Sequence, residues 1–175
     1  LSAHGSSEAF ILGGNGTAGS DSIGPKIRCY LNSPDFQNGG NVNPTPYFAA
    51  SLSDDDGINA TGNGIGHDLE LVVDGEAART YNLNDNFQFD FGSYTSGSTW
   101  YSIPALEPGH HSLLFRAWDN MNNCSTATLD FTVVKGLVPT IFSVAASHNP
   151  ASASTTFIIN HNFAGCELAV SIDVF

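Results

Sequence analysis

The stretch SLLFRAWDNMNNCSTATLDFTVV, residues 112–134, decides the fold of this chain. Its apolar side chains alternate at Leu113, Phe115 and Ala117, as they do in a strand with one buried face. Asp119 can cap the Asn-rich turn that follows, and a second alternating run begins after that turn. The pattern predicts two antiparallel strands joined by a turn, with one face in a core.

Further strands are predicted on both sides of this hairpin, wherever alternating or apolar runs are bounded by turn residues. Turns recur about every eight to twelve residues, the spacing expected of a two-sheet sandwich. No long helix is predicted. The predicted strands are residues 8–12, 26–31, 47–52, 68–73, 79–83, 87–91, 98–103, 112–118, 126–134, 141–145, 155–160 and 167–175.

Composition and charge narrow the class of protein. The chain has 175 residues, and 5 Lys+Arg against 17 Asp+Glu give a formal charge of -12. Such a charge repels phosphate backbones and anionic lipid headgroups, so nucleic acid is excluded as a partner. No stretch reaches the roughly 18 apolar residues of a membrane-spanning helix. With 18 Gly, 12 Phe and only 13% charged residues, the composition favours an all-β, extracytoplasmic module.

Two boundaries divide the sequence into three parts. Residues 1–22 are predicted to be a strand end and a Gly-rich linker from an upstream domain, and residues 23–135 a β-sandwich. Residues 136–175 are predicted to be the first strands of a second β-sandwich. Because the alternation from Leu168 to Val174 is followed by no turn, we expect that second sandwich to be truncated at residue 175.

The densest polar cluster lies in the loops on either side of residue 60. Carboxylates and loop carbonyls are ligands that Ca²⁺ selects, but the spacing of an EF-hand loop and its terminal Glu are missing. We therefore interpret the cluster as a structural loop in which Asx side chains bond backbone amides, with no metal and no cofactor. Its members are Asp54, Asp55, Asp56, Gly57, Gly64, Gly66, His67 and Asp68.

Catalytic residues are not predicted in this sequence. Cys29 alternates with Ile27 and Leu31 on one strand face, which favours a small core residue over a reactive thiol. Neither Cys124 nor Cys166 has a basic neighbour in sequence to lower its thiol pKa, and the histidines show no zinc-ligand spacing. The chain itself is therefore not expected to be an enzyme.

Two surface interpretations compete for the exposed aromatic residues. If Leu113, Phe115 and Ala117 face inward, the intervening residues form an outward stripe that is typical of a covered domain interface. The candidate interface residues are Leu114, Arg116 and Trp118. The alternative is a carbohydrate-binding platform built from Tyr94, Trp100, Tyr101 and Trp118.

Several segments resemble a known family. The hairpin 112–134 resembles the last hairpin of bacterial immunoglobulin-like domains. The runs IGPKIRCYLN (23–32), LSDDDGIN (52–59) and GNGIGHD (62–68) resemble the C-terminal immunoglobulin-like region of the PorU family. Its members are gingipain-type cysteine peptidases that act as sortases of the type IX secretion system in Bacteroidetes. Residues 149–157 and 168–175 are similar to the opening of a type IX C-terminal signal-like domain.

The resemblance implies an immunoglobulin-like sandwich and a role without chemistry of its own. The family's catalytic His and Cys lie in the upstream peptidase domain, and no position here matches their motif. The implied parent removes C-terminal signals from cargo and attaches the cargo to the cell surface. The implied partners are that peptidase domain and an outer-membrane β-barrel protein. A carbohydrate-binding or adhesin-like domain of a bacterial surface protein remains the alternative.

Overall fold

The computed structural model describes residues 21–62, 66–147, 154–164, 167 and 169–171. Within these ranges the chain forms eleven β-strands and two 3-10 turns of three residues each. The predicted all-β fold class is confirmed. The strands are β1 (Lys26–Leu31), β2 (Asn41–Val42), β3 (Tyr47–Ser53), β4 (Glu70–Val73), β5 (Thr80–Asn82), β6 (Gln88–Phe89), β7 (Ser96–Ser102), β8 (Gly109–Trp118), β9 (Cys124–Val133), β10 (Ile141–Ala146) and β11 (Phe157–His161).

Among the described residues, four of the eight strand pairings join strands that are not consecutive, so the sheets are assembled from distant parts of the chain. The first sheet has the strand order β1-β3-β7-β6, and all its neighbours are antiparallel. The second sheet has the order β2-β9-β8-β4-β5, in which only the β2–β9 pair is parallel. Strands β10 and β11 form a separate antiparallel hairpin.

The core lies between the inward faces of the first and second sheets. Phe48 of β3 and Phe115 of β8 meet there with ring centroids 5.2 Å apart, and both are 0% exposed. Burying side chains of this size is worth roughly 1.5–3 kcal/mol each, so these rings make a large contribution to holding the two sheets together. Other fully buried members are Leu31, Val42, Leu69, Leu71, Val73, Leu83, Ile103, Leu113, Phe131 and Val133.

The turn between β8 and β9 is built as its sequence predicts. The Asp119 side chain is fully buried, and its Oδ1 accepts hydrogen bonds from the backbone N–H groups of Met121 and Asn123, at 2.8 and 2.7 Å. Asn122 has a φ of 68°, a left-handed conformation that Asn tolerates better than most residues. The turn therefore depends on the side-chain chemistry of the Asp-Asn-Met-Asn-Asn run.

Several boundaries differ from the predicted ones. Strand β8 begins at Gly109 rather than at residue 112, because its first residues pair with the end of β9. Strand β6 has only two residues, and β2 was not predicted. Positions 167 and 169–171 carry no strand, contrary to the predicted strand 167–175. The predicted strand 8–12 lies outside the described residues, as does most of the predicted linker 1–22.

Candidate functional site

The outward stripe of β8 consists of Leu114, Arg116 and Trp118, and we call it the β8 stripe. Leu113, Phe115 and Ala117, the residues that alternate with it, are 2% exposed or less. Leu114 is 37% exposed, whereas Arg116 and Trp118 are half-buried. The alternation thus places three side chains on the outer face of the second sheet, and Leu114 is the most exposed to solvent of the three.

Arg116 is held by the neighbouring strand. Its Nη2 donates a hydrogen bond to Glu70 Oε1 at 2.7 Å, and the two residues face each other in the β4–β8 register. Its Nε is buried and has no hydrogen-bond partner in the described part of the chain. Glu70 is not among the residues predicted from the sequence, because its position opposite Arg116, 46 residues away, depends on how the strands pair.

Trp118 is covered in part by the loop that precedes β4. The imidazole ring of His67 lies on its indole ring, with centroids 4.2 Å apart and planes inclined by 36°. The indole Nε1 is buried without a hydrogen-bond partner among the described residues. A buried N–H that lacks an acceptor costs roughly 1–3 kcal/mol.

The Asp54–Gly57 turn shows local Asx chemistry. The Asp56 N–H donates to Asp54 Oδ1 at 2.9 Å, and the Gly57 N–H donates to the Asp54 carbonyl at 3.2 Å. Gly57 has a φ of 94°, and a Cβ there would lie 2.5 Å from Asn120 Nδ2. Glycine is therefore required at Gly57, because the turn packs against the β8–β9 turn.

Negative charge accumulates around this turn. Partial burial, followed by repulsion from Asp119 and Asp21, raises the pKa of the Asp54 carboxyl, and the Asp56 N–H opposes this rise in part. An open cavity of about 270 Å³ lies beside it, lined by Asp21, Lys26, Asp55 and Asp56 among others. Within the described ranges, no group of three or more His, Cys, Asp or Glu side chains is placed to hold a metal ion.

The other predicted loop residues lie elsewhere. Asp68 Oδ1 accepts a hydrogen bond from Asn84 Nδ2 at 3.3 Å, and His67 lies on Trp118. Gly66 has a φ of 81°, whereas Gly64 falls outside the described residues. The structure therefore divides the predicted loop between two surroundings, one at the β8–β9 turn and one between β4 and the 3-10 turn Asn84–Asn86.

Replacing Asp54 by Asn is expected to stabilise the protein at pH 7. A raised pKa means that folding disfavours the charged carboxylate, so its charge costs stability above the folded-state pKa, and that cost disappears as the pH falls below about 4. Asn removes the charge and keeps the oxygen that accepts from Asp56. Thermal melts at pH 7 and pH 3 measure the effect, which we expect to be a rise of a few degrees at pH 7 only.

A matched control is Asp35→Asn, in an exposed loop at the opposite end of β1. We expect little change in melting temperature for this control at either pH. Equal shifts for Asp35→Asn and Asp54→Asn would show that the net charge, rather than the acidic turn, sets the effect.

The two described thiols are poorly suited to nucleophilic chemistry. Burial raises the pKa of the Cys29 thiol, which lies on the inward face of β1. Cys124 lies at the start of β9 and is largely exposed. Partial burial also raises the pKa of its thiol, although the positive charge of Arg116 opposes the shift. A raised pKa leaves less thiolate at neutral pH, and the thiolate is the reactive form.

The four aromatic residues of the predicted sugar platform are separated by the fold. Trp118 lies on the outer face of the second sheet and Trp100 on that of the first. Tyr101 faces inward and stacks on Tyr81, with ring centroids 4.6 Å apart, and Tyr94 is 66% exposed in a loop. The prediction that these four residues form a single carbohydrate-binding platform is therefore wrong.

A different aromatic group lies on the outer face of the first sheet. Tyr30, Ala49 and Trp100 are aligned across β1, β3 and β7, and Tyr47 is one pleat further along β3. A trough of about 420 Å³ continues from them along the sheet, and its lining includes Ser51 and Ser98. Only Trp100 of this group was among the predicted platform residues, because the others become its neighbours only through strand pairing.

Across the described residues, no helix has the length and apolar character needed to span a membrane.

Comparisons with known proteins place these features in a family. No protein-family model matches the sequence, and the comparison with curated proteins gives no match. Among solved structures, the chain is similar to dimeric latent PorU from Porphyromonas gingivalis, with 41% sequence identity and a TM-score of 0.65. The match covers 82% of this chain and 13% of that chain, in its C-terminal region.

A second solved structure, the endo-beta-1,4-mannanase from Thermotoga petrophila, matches with 14% identity and a TM-score of 0.40. It covers 67% of this chain and 21% of that one. The similarity to PorU is much stronger, because 41% sequence identity extends over most of the chain. It confirms the resemblance found in the sequence, and we conclude that the chain belongs to the PorU family, as a counterpart of a C-terminal segment of that protein.

Proposed function

We propose that this chain is a non-catalytic scaffolding and docking module from the C-terminal part of a type IX secretion sortase. Its parent would be a gingipain-type cysteine peptidase at the outer membrane and cell surface, which removes C-terminal signals from cargo and attaches the cargo there. The partners would be the upstream peptidase domain and an outer-membrane β-barrel protein. The similarity to PorU over 82% of the chain supports the parent.

We propose that the β8 stripe is the surface through which the module docks. Leu114, which is 37% exposed, and the half-buried Trp118 lie on one outer face. Aromatic residues of this kind are enriched at the centres of protein interfaces, where the ring is buried and its polar end bonded. Residues 23–135 would form the immunoglobulin-like sandwich that presents the stripe, and residues 136–175 the start of a second β domain.

Trp118→Ala is expected to weaken the assembly of the complete parent protein by roughly 2 kcal/mol or more. The apolar area of the large ring would be lost from the interface, whereas the fold of the isolated sandwich would change little. Binding of the complete protein to its outer-membrane partner, and protection of the peptidase–sandwich boundary from proteolysis, measure the effect.

Trp100→Ala serves as the matched control, because Trp100 is also a half-buried tryptophan but lies on the first sheet. Unchanged assembly for Trp118→Ala, or an equal loss for both variants, would contradict docking through the β8 stripe.

Carbohydrate binding is a second candidate, and the aromatic group on the first sheet favours it. Tyr30, Tyr47 and Trp100 surround a small residue, Ala49, next to the Ser-lined trough. Aromatic rings on a flat sheet face can stack on sugar rings, and hydroxyl groups can bond them. Glycan-array binding that disappears with Trp100→Ala and persists with Trp118→Ala would favour this function over docking.

The isolated chain is expected to have no peptidase activity. Both described thiols have a raised pKa, and the chain covers only 13% of the PorU chain that it resembles. The assay is hydrolysis of a peptide from a C-terminal signal, with the complete parent as the positive control. Thiol-dependent hydrolysis that Cys29→Ala or Cys124→Ala abolishes would refute the non-catalytic role.

A further inference from the structure

Two asparagines lie together at one end of the sandwich, directly after β1 and β2. Asn32 Nδ2 donates to Asn43 Oδ1 at 3.0 Å, across 11 residues of sequence. Asn32 is itself fixed on β3, because its N–H donates to the Tyr47 carbonyl at 2.7 Å and its Oδ1 accepts from the Tyr47 N–H at 2.8 Å. Its φ of 59° is left-handed, a conformation in which Asn is favoured.

Both amides bind the chain that follows β11. Asn32 Nδ2 donates to the Asn162 carbonyl at 2.8 Å. Asn43 Nδ2 donates to the Ala164 carbonyl, and Asn43 Oδ1 accepts from the Ala164 N–H at 3.3 Å. The hydroxyl of Thr45 also donates to the Ala164 carbonyl, at 3.2 Å. Every one of these contacts is made to backbone atoms of residues 162–164, so recognition does not require particular side chains there.

The asparagine at the centre is buried and satisfied. Asn43 is 0% exposed. Its Nδ2 also donates to the carbonyl and hydroxyl oxygens of Thr45, at 3.2 and 3.0 Å, so both amide hydrogens and the oxygen have partners. A fully satisfied buried amide network restricts the geometry of the elements that it joins, because any shift leaves a buried polar atom unpaired. Withdrawal of residues 162–164 would remove the two hydrogen bonds between Asn43 and Ala164, and Asn43 would keep only those with Asn32 and Thr45.

The linker alone would not give the same restraint. Residues 134–140 connect β9 to β10 and include Gly136, whose φ of 72° is left-handed. Relative motion is the usual behaviour of units joined by one short linker with little shared surface. Here residues 162–164, which follow β11, contact the sandwich again. The hairpin is therefore attached to the sandwich both before β10 and after β11. Phe142 of β10 also lines a small groove with Leu31 and Phe36.

We propose that Asn32, Asn43 and Thr45 form a socket that binds the backbone of residues 162–164 and thereby fixes the β10–β11 hairpin at one angle on the sandwich. The occupant is the chain's own segment, which the hydrogen bonds identify. The socket goes beyond the proposed docking function, because it sets the orientation of the second β unit whatever partner the β8 stripe binds. It also leaves the exposed apolar side chains of the hairpin, such as Ile141 and Val144, free for other contacts.

Asn43→Ala tests the socket, with amide hydrogen exchange of Ala164 as the measurement. We expect exchange at Ala164 to become at least tenfold faster, while the amides of β8 and β9 keep their protection. Trypsin cleavage after Lys135 should also become faster, because the linker is released. The control is Asn38→Ala, which removes a hydrogen bond of the same kind within the sandwich, from the Asp130 N–H to Asn38 Oδ1 at 2.7 Å.

Equal Ala164 exchange in Asn43→Ala and Asn38→Ala would overturn the proposal. Because Asn43→Ala leaves a cavity in a buried part of the sandwich, a second pair of variants changes Ala164 instead, which lies outside the sandwich. Ala164→Pro removes the N–H that Asn43 accepts, whereas Ala164→Ser keeps it. Faster cleavage after Lys135 in the proline variant alone would support the socket, and cleavage at the wild-type rate in both variants would refute it.

Discussion

Phe115→Ala is expected to lower the free energy of unfolding by about 3–5 kcal/mol, a large part of the stability of a domain of this size. Phe115 is 0% exposed and lies between the two sheets, where its ring meets that of Phe48 at 5.2 Å. Alanine would remove the apolar surface of the ring and leave a cavity that two paired sheets cannot easily close. The Phe48 ring would also lose its aromatic contact, worth roughly 0.5–1.5 kcal/mol.

Urea denaturation measures this effect, and Leu114→Ala is its control. Leu114 is the next residue of β8 but points outward and is 37% exposed, so its loss should cost less than about 1 kcal/mol. A double-mutant cycle with Phe48→Ala should show coupling between the two rings. Similar losses for Phe115→Ala and Leu114→Ala would mean that the two faces of β8 are not buried as the structure has them.

The faces of the strands could be predicted because alternation is a local property of the sequence. The periodicity at Leu113, Phe115 and Ala117 was sufficient to divide β8 into an inward and an outward face, as the structure does. The same reasoning correctly placed Ile27, Cys29 and Leu31 on the inward face of β1. The confirmed all-β class follows from the repetition of this pattern.

Partners across strands could not be predicted in the same way. Glu70 meets Arg116, and Trp100 is aligned with Tyr30, only because of the order in which distant strands pair. Strand β2 has two residues, too few for any period to be visible. The interpretation of Tyr94, Trp100, Tyr101 and Trp118 as one platform was wrong for this reason, since composition does not tell which sheet a strand joins.

The burial of polar residues could not be predicted from the sequence either. Asn43 and His111 are 0% and 9% exposed, yet single residues of these types usually indicate a loop or a surface. Each is buried because several partners from other elements satisfy it. Such networks depend on tertiary structure, because only folding brings Asn43 to residues 162–164 and His111 to Asp74.

His111 lies between two acceptors. Its Nδ1 is 2.8 Å from Asp74 Oδ2, and its Nε2 is 2.8 Å from the Glu107 carbonyl oxygen. The carbonyl can only accept, so Nε2 carries a proton. Asp74 also accepts from the Ser112 N–H at 3.1 Å and from Arg79 Nη1 at 2.6 Å, which favours its ionised form.

Asp74 thus holds His111, Arg79 and the start of β8 with one carboxylate. Its burial would raise the pKa, but the hydrogen bonds from His111 and from the Ser112 N–H outweigh burial, and the pKa of Asp74 lies below its ordinary value of 3.8. Because folding lowers this pKa, the carboxylate contributes stability above the unfolded-state value. That contribution is lost as the pH falls through the lower folded-state pKa.

Asp74→Ala is expected to lower the free energy of unfolding by about 3 kcal/mol at pH 6–7, since it leaves the buried His111 ring, the Arg79 guanidinium and the Ser112 N–H without this partner. Part of the loss arises because the φ of 57° at Asp74 is left-handed, which costs alanine roughly 1–2 kcal/mol. Asp74→Asn tolerates that backbone and keeps one oxygen acceptor, so it should lose about half as much. Urea denaturation between pH 2 and pH 7 should show the wild-type advantage over Asp74→Asn narrowing below about pH 4. An advantage that stays constant down to pH 2 would mean that the carboxylate charge of Asp74 does not stabilise the fold.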